Sequence, residues 1–177
     1  MEHKIILAGF GGQGIMVMGR LLAYAAMHEG KNVSWIPSYG VEQRGGTANC
    51  SVVISDEIIA APIIAEPAYS IIMNRPSLDK FEPKMAPKGV ILVNTSIVDR
   101  DVERKDLDVV NLACNDEALE LGDIRYANMI ALGAFCKKTG IIKLETLKKS
   151  LKNVLSARRQ NLVEINQKAL EKGYQLV

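Results

Sequence analysis

The apolar positions fall into short unbroken runs in the first two thirds of the chain and into helical repeats in the last third. Ile5-Ile6-Leu7-Ala8 is short and uninterrupted, the pattern of a strand buried on both faces. Gly9-Phe10-Gly11-Gly12-Gln13-Gly14 ends it, and residues 15–29, rich in Met, Leu and Ala and free of proline, predict a helix. Arg20 is the only charge in that helix before Glu29. A helix apolar on most sides is buried on most sides, so it either lies deep in the fold or turns its outer side to another chain. Residues 33–36 predict a second strand, which closes one strand–helix–strand unit. Residues 49–55 and 58–64 predict two more around Asp56-Glu57, as a hairpin. Further strands are expected at 70–74, 90–94 and 109–112, with a short helix over 77–81 behind Pro76. From there the period is helical, over 116–121, 127–138, 144–154 and 162–172, with Gly140 and Gly173 as expected terminators. This order predicts a three-layer, Rossmann-like α/β fold with a mostly parallel, mixed sheet and C-terminal helices, as a single domain over 1–177.

Composition narrows the classes. The 177 residues are 48% apolar, with 22 basic and 20 acidic side chains and a formal charge of +2, which excludes disordered and low-complexity chains. Cys50, Cys114 and Cys136 are far apart with no CxxC pair, against a disulfide framework or a self-contained zinc or iron–sulfur site. His3 and His28 are the only imidazoles, so an HExxH site cannot be built. The longest uncharged stretch, residues 5–19, is broken by glycines and falls short of the roughly 18 residues of a membrane span. The chain enters its first strand directly and shows no small-residue cleavage site, so a cytoplasmic location is expected. Charge is uneven: residues 137–177 hold ten Lys and Arg against three Glu, a formal +7, and leave −5 on residues 1–136. A solvated helix face, an acidic protein partner and nucleic acid all fit that pattern. Nucleic acid is the least favoured, because Tyr174 is the tail's only aromatic side chain for base stacking.

Two loops carry the candidate chemistry. Gly9, Gly11 and Gly14 satisfy GxGxxG after a strand and before a helix, where backbone amides can approach an anion. A dinucleotide site also needs an acid about 20 residues on, at the end of the second strand; residues 34–39 there hold none and the next acid is Glu42, so ordinary NAD binding is disfavoured. The glycines then serve close packing, the approach of a neighbouring chain, or phosphate of another ligand, and the Gln13 amide suits a phosphate or a partner's backbone. The second loop, Tyr39-Gly40-Val41-Glu42-Gln43-Arg44-Gly45-Gly46, is expected beside the first at the carboxyl edge of the sheet. Arg44 offers a planar fork for carboxylate or phosphate, and Glu42 could hold it or pair with it. No Ser–His–Asp set, activated Cys or paired carboxylate emerges, so no catalytic residue is assigned.

Gly9 to Gly14, the loop Tyr39-Gly40-x-Glu42-x-Arg44-Gly45-Gly46-Thr47, and Asn128-Met129-Ile130-Ala131-Leu132-Gly133 together resemble the gamma subunit of 2-oxoacid:ferredoxin oxidoreductases, over essentially the whole chain. Ile36-Pro37-Ser38-Tyr39-Gly40 and Arg44-Gly45-Gly46-Thr47-Ala48-Asn49-Cys50 look most like the 2-oxoglutarate synthase form; Gln43 departs from the Met common at that place. The resemblance implies a role in oxidative decarboxylation of a 2-oxo acid with coenzyme A, giving acyl-CoA, carbon dioxide and reduced ferredoxin. It also implies that thiamine diphosphate, Mg2+ and iron–sulfur clusters sit in alpha, beta and ferredoxin-like delta subunits, so that this chain binds none of them and is inactive alone. Pyruvate, branched-chain 2-oxo acids and indolepyruvate are the alternative substrates. A stand-alone nucleotide-binding domain is the alternative of another class. Gly9, Gly11, Gly12, Gln13, Gly14, Tyr39, Glu42, Arg44, Gly45 and Gly46 are the expected contacts with coenzyme A or with a partner subunit, and neither a membrane nor nucleic acid is expected as partner.

Overall fold

The computed structural model describes residues 1–39 and 46–177, and Tyr39 by its backbone alone. Six strands form one mixed sheet: β1 (Glu2–Phe10), β2 (Asn32–Tyr39), β3 (Thr47–Ser55), β4 (Tyr69–Ile72), β5 (Val90–Asn94) and β6 (Asp108–Leu112), in the order β2-β3-β1-β4-β5-β6. β1, β4, β5 and β6 run parallel, while β3 is antiparallel to both β1 and β2. The expected alternation therefore holds on one side of β1 and breaks on the other, where β3 inserts between β1 and β2.

The expected strand over 58–64 does not form. Its apolar run has no neighbour to pair with, and Pro62 lacks the N–H a ladder requires. The hairpin is made instead by β2 and β3, in a register that runs from Asn32 opposite Ser55 to Tyr39 opposite Ala48.

Helices cover the two faces unequally. On one face lie α1 (Ile15–His28), α4 (Ala127–Thr139), α5 (Leu144–Val154) and α6 (Val163–Gln175), whose apolar sides close over Ile5, Leu7, Val52, Ile71 and Leu92. Short α3 (Cys114–Leu119) joins that core through Cys114 and Ala118. The other face is covered by α2 (Arg75–Phe81) and irregular chain, around Ile6, Ala8, Ile72, Leu78, Phe81 and Val93. Of the two places the sequence leaves open for α1, the structure shows burial within the fold: its outer side is covered largely by α5 of the same chain, while Arg20, Tyr24, Met27 and His28 stay exposed. On its inner side Gly19 lets α1 settle on the sheet, since a Cβ there would sit 2.4 Å from Cys50 Sγ and 2.8 Å from Trp35 Nε1.

Two glycines set the distance between α4 and α6. A Cβ on Gly133 would lie 2.0 Å from the Leu170 carbonyl oxygen, and one on Gly173 would lie 1.9 Å from that of Ile130. Gly173 is thus inside α6 and serves backbone-to-backbone contact, not termination. Gly140 does terminate α4, in the left-handed region at φ 65°.

Candidate functional site

The carboxyl edge of β1 is where both loops meet. Gly12 and Gly14 take φ of +100° and +75°, backbone that L side chains rarely adopt, and Gly14 is the N-cap of α1. Gly9 is required by space: a Cβ there would fall within 2.9 Å of Met73 Cβ and within 2.8 Å of Ile15 Cδ1. Gln13 is the bolt of the loop. Its Oε1 accepts from the Phe10 amide at 2.6 Å and its Nε2 donates to the Met73 carbonyl at 3.1 Å, which ties the loop to the end of β4. Each end of the amide thus has one partner within the chain, which leaves one further N–H and one further lone pair.

The end of the second loop lies where the sequence places it. The Gly11 amide donates to the Gly46 carbonyl at 2.8 Å, and Thr47 pairs with Phe10 across β3 and β1. Tyr39 closes β2 beside it. The expected contacts Glu42, Arg44 and Gly45 lie outside the described residues.

The third motif is drawn in as well. Asn128, in the first turn of α4, donates from Nδ2 to the Gly14 carbonyl at 3.3 Å and accepts at Oδ1 from the Met129 amide. A Cβ on Gly14 would meet that Nδ2 at 2.3 Å, so the glycine and the asparagine require each other. Buried asparagines continue along the sheet edge. Asn74 caps α2 by accepting from Ser77 N at 2.9 Å. Asn94 accepts from Cys114 N and donates to Asn115 Oδ1, both at 3.0 Å. The sequence reading missed these roles, although an Asn closing each of the runs Ile71-Ile72-Met73-Asn74 and Ile91-Leu92-Val93-Asn94 was a legible signal.

Two clefts flank the glycine loop. One, of about 200 Å³, is lined by Gly12, Gly14, Arg125, Asn128 and Arg159 among others. The second, of about 150 Å³, lies between Gln13, Met73, Asn115 and Arg125. Both are smaller than the roughly 300 Å³ at which pockets for small-molecule ligands begin. The amides of Gly12, Gly14, Ile15, Met16 and Val17 donate to no acceptor among the described residues. With the positive end of α1 behind them and two guanidiniums beside them, they suit an anionic group. Arg125 is held by Asp123 and is largely exposed, whereas Arg159 has no acidic partner among the described residues. Neither arginine stood out in the sequence, because nothing local connects Arg159 to a loop 145 positions earlier.

The three cysteines are buried thiols. Burial pushes the Cys50 and Cys114 thiols up to about 12 and raises Cys136 as well, so none is a thiolate near neutral pH. Among the described residues no group of three or more His, Cys, Asp or Glu could hold a metal ion. No helix among them is long and apolar enough to cross a membrane. Four of the tail's ten basic side chains have acidic partners among the described residues: Lys148 pairs with Glu145 and Glu171, Lys168 with Glu164, Lys172 with Glu117 and Glu120, and Lys138 with Asp108. That supports the solvated-helix reading of the +7.

The family model for pyruvate ferredoxin/flavodoxin oxidoreductase matches residues 4–176. The chain is 37% identical to the ketoisovalerate oxidoreductase subunit VorA of Methanothermobacter marburgensis over 97% of its own length, and spans 36% of that longer relative. It is 32% identical to the 2-oxoglutarate synthase subunit KorC of Methanocaldococcus jannaschii, over 99% of this chain and 94% of that one. Among solved structures, the keto/oxoacid ferredoxin oxidoreductase gamma subunit of Geobacter sulfurreducens superposes with a TM-score of 0.86 at 26% identity, covering 99% of this chain and 95% of the other.

Proposed function

The chain belongs to the pyruvate ferredoxin/flavodoxin oxidoreductase family, and from that premise we propose that it is the non-catalytic gamma subunit of a complex that oxidises a 2-oxo acid with coenzyme A to acyl-CoA and carbon dioxide, passing the electrons to ferredoxin. One observation carries the non-catalytic part. The carboxyl edge, where α/β sites form, holds a loop braced by its own Gln13 and two clefts of about 200 and 150 Å³, with no general base, thiolate or metal-ligand cluster among the described residues. Thiamine diphosphate, Mg2+ and iron–sulfur clusters do not fit these residues and are assigned to the alpha, beta and delta subunits. Coenzyme A fits better: its phosphates match the amides of Gly12 and Gly14 and the guanidiniums of Arg125 and Arg159. This chain's residues would then bind and orient the cofactor's anionic end, with Tyr39, Glu42, Arg44, Gly45 and Gly46 of the second loop beside it. Residues 1–177 form one gamma-type domain in this reading, working in the cytoplasm.

The proposed substrate is 2-oxoglutarate, on the strength of residues 36–40 and 44–50 and of the near full-length match to a 2-oxoglutarate synthase subunit. The higher identity to a ketoisovalerate subunit favours a branched-chain 2-oxo acid as the second reading. Turnover of the purified complex with 2-oxoglutarate, 2-oxoisovalerate, pyruvate and indolepyruvate decides: the highest kcat/KM should fall on 2-oxoglutarate, and a higher value for another acid overturns that choice. The coenzyme A contact is tested at Gly12, where an added Cβ meets nothing within 4 Å. Gly12→Asn, the side chain that best tolerates positive φ, should raise the KM for coenzyme A in a complex that still assembles; an unchanged KM removes the loop from the cofactor's path.

A further inference from the structure

The segment misread as a strand is the most apolar exposed stretch among the described residues. Between Glu57 and Glu66 the chain reads Ile58-Ile59-Ala60-Ala61-Pro62-Ile63-Ile64-Ala65, eight residues without a polar side chain. Ile58 is 89% and Ile63 80% exposed, and Ala60, Ala61, Pro62 and Ala65 are exposed with them. Ile64 alone is packed on the smaller core, and so fastens the strap to the α2 face of the sheet. Among the described residues no hydrogen bond reaches the backbone of residues 58–66. Single exposed isoleucines are ordinary, but a continuous apolar run marks a surface that meets another.

We propose that this strap docks into an apolar groove with a basic rim on another subunit of the same oxidoreductase, with Ile58 and Ile63 as its anchors; the proposal rests on the gamma-subunit reading. Three observations select that occupant. In the ketoisovalerate relative the region matching this chain is 36% of the polypeptide, so there the domain lives beside a larger body of protein to which it is joined. A second copy of the chain fits poorly, because two-fold pairing of the strap with itself would put Pro62, which has no N–H, near the centre of the ladder. Glu57 and Glu66 stand exposed at the two ends, so the complementary rim is basic. Eight extended residues reach at most about 28 Å, which makes the strap an arm of a wider interface.

The test is co-expression of the full chain with its partner subunits, as wild type and as the double variant Ile58→Asp plus Ile63→Asp. Both side chains are solvent-exposed, so the isolated variant should keep the wild-type melting curve. Its affinity for the partner subunits should fall at least about tenfold, because two buried apolar anchors would become charged groups. Hydrogen exchange at residues 58–66 should be fast in the isolated wild-type chain and slow in the complex. Wild-type affinity in the variant, or unchanged exchange on assembly, overturns the proposal. A wild-type chain that dimerises alone, with a monomeric variant, assigns the strap to a second copy and also overturns it. If wild type assembles with no thiamine-binding subunit, the gamma reading itself fails and this inference falls with it.

Discussion

Gln13 shows how one side chain fixes a loop. Its amide spans Phe10 N and Met73 O, so the glycine turn is held to β4 by two hydrogen bonds of a partly buried group. Gln13→Ala removes both and strands an amide and a carbonyl, which should cost about 1–2 kcal/mol in denaturant unfolding; no change would mean the loop is braced elsewhere. The residue was legible as part of a glycine motif, but its role was not, because Met73 lies 60 positions away. Asn128 was legible in the same limited way: the motif could be read, while its bond to Gly14, 114 positions away, depends on how α4 returns to the loop. Asp56 gives a pH signature at this scale. The Lys31 ammonium, helped by the Met1 amino group, holds its carboxyl down at about 2, below its ordinary value. A depressed carboxylate stabilises the fold above its unfolded pKa, near 4, and that contribution disappears as pH falls from about 4 to about 2. Asp56→Asn should therefore be less stable than wild type near neutrality, and the gap should close in that acid range; a gap independent of pH would rule out the ion pair as its source.

Elements were read well where period and length agreed. The helix over 127–138 is α4 within a residue, and the strand over 90–94 is β5. The errors have nonlocal causes. An apolar run does not say whether a neighbouring strand exists, so residues 58–64 read as β although they pair with nothing among the described residues. The insertion of β3 between β1 and β2 depends on pairing, which alternation along one strand does not encode. Gly173 read as a stop because the contact that requires it belongs to α4. At that contact Gly133→Ala or Gly173→Ala puts a methyl group against a backbone carbonyl, and each should cost about 3 kcal/mol or more in chemical denaturation. The double variant should cost less than the two together, since the first methyl already forces α4 and α6 apart. Full additivity would mean that the helices separate independently at the two points.

On the scale of the whole molecule, the sequence distinguished a −5 body from a +7 tail, and folding joins the two through Lys138 and Lys172. Lys172 reaches Glu117 and Glu120, and Lys138 reaches Asp108, so part of the tail's charge serves to seat the C-terminal helices on the sheet. Exposed among the described residues are the glycine-loop edge with Arg125 and Arg159, and the strap over 58–65. The contacts proposed for these two surfaces are those of a subunit that acts through its neighbours. The most direct measurement is affinity purification of the endogenous chain from its own cells, with mass spectrometry of what is retained and an assay of coenzyme A-dependent 2-oxo acid oxidation. The account predicts stoichiometric recovery of thiamine-binding and iron–sulfur subunits, activity in that complex and none in the isolated chain. A chain that is recovered alone, or that oxidises a 2-oxo acid by itself, would contradict it.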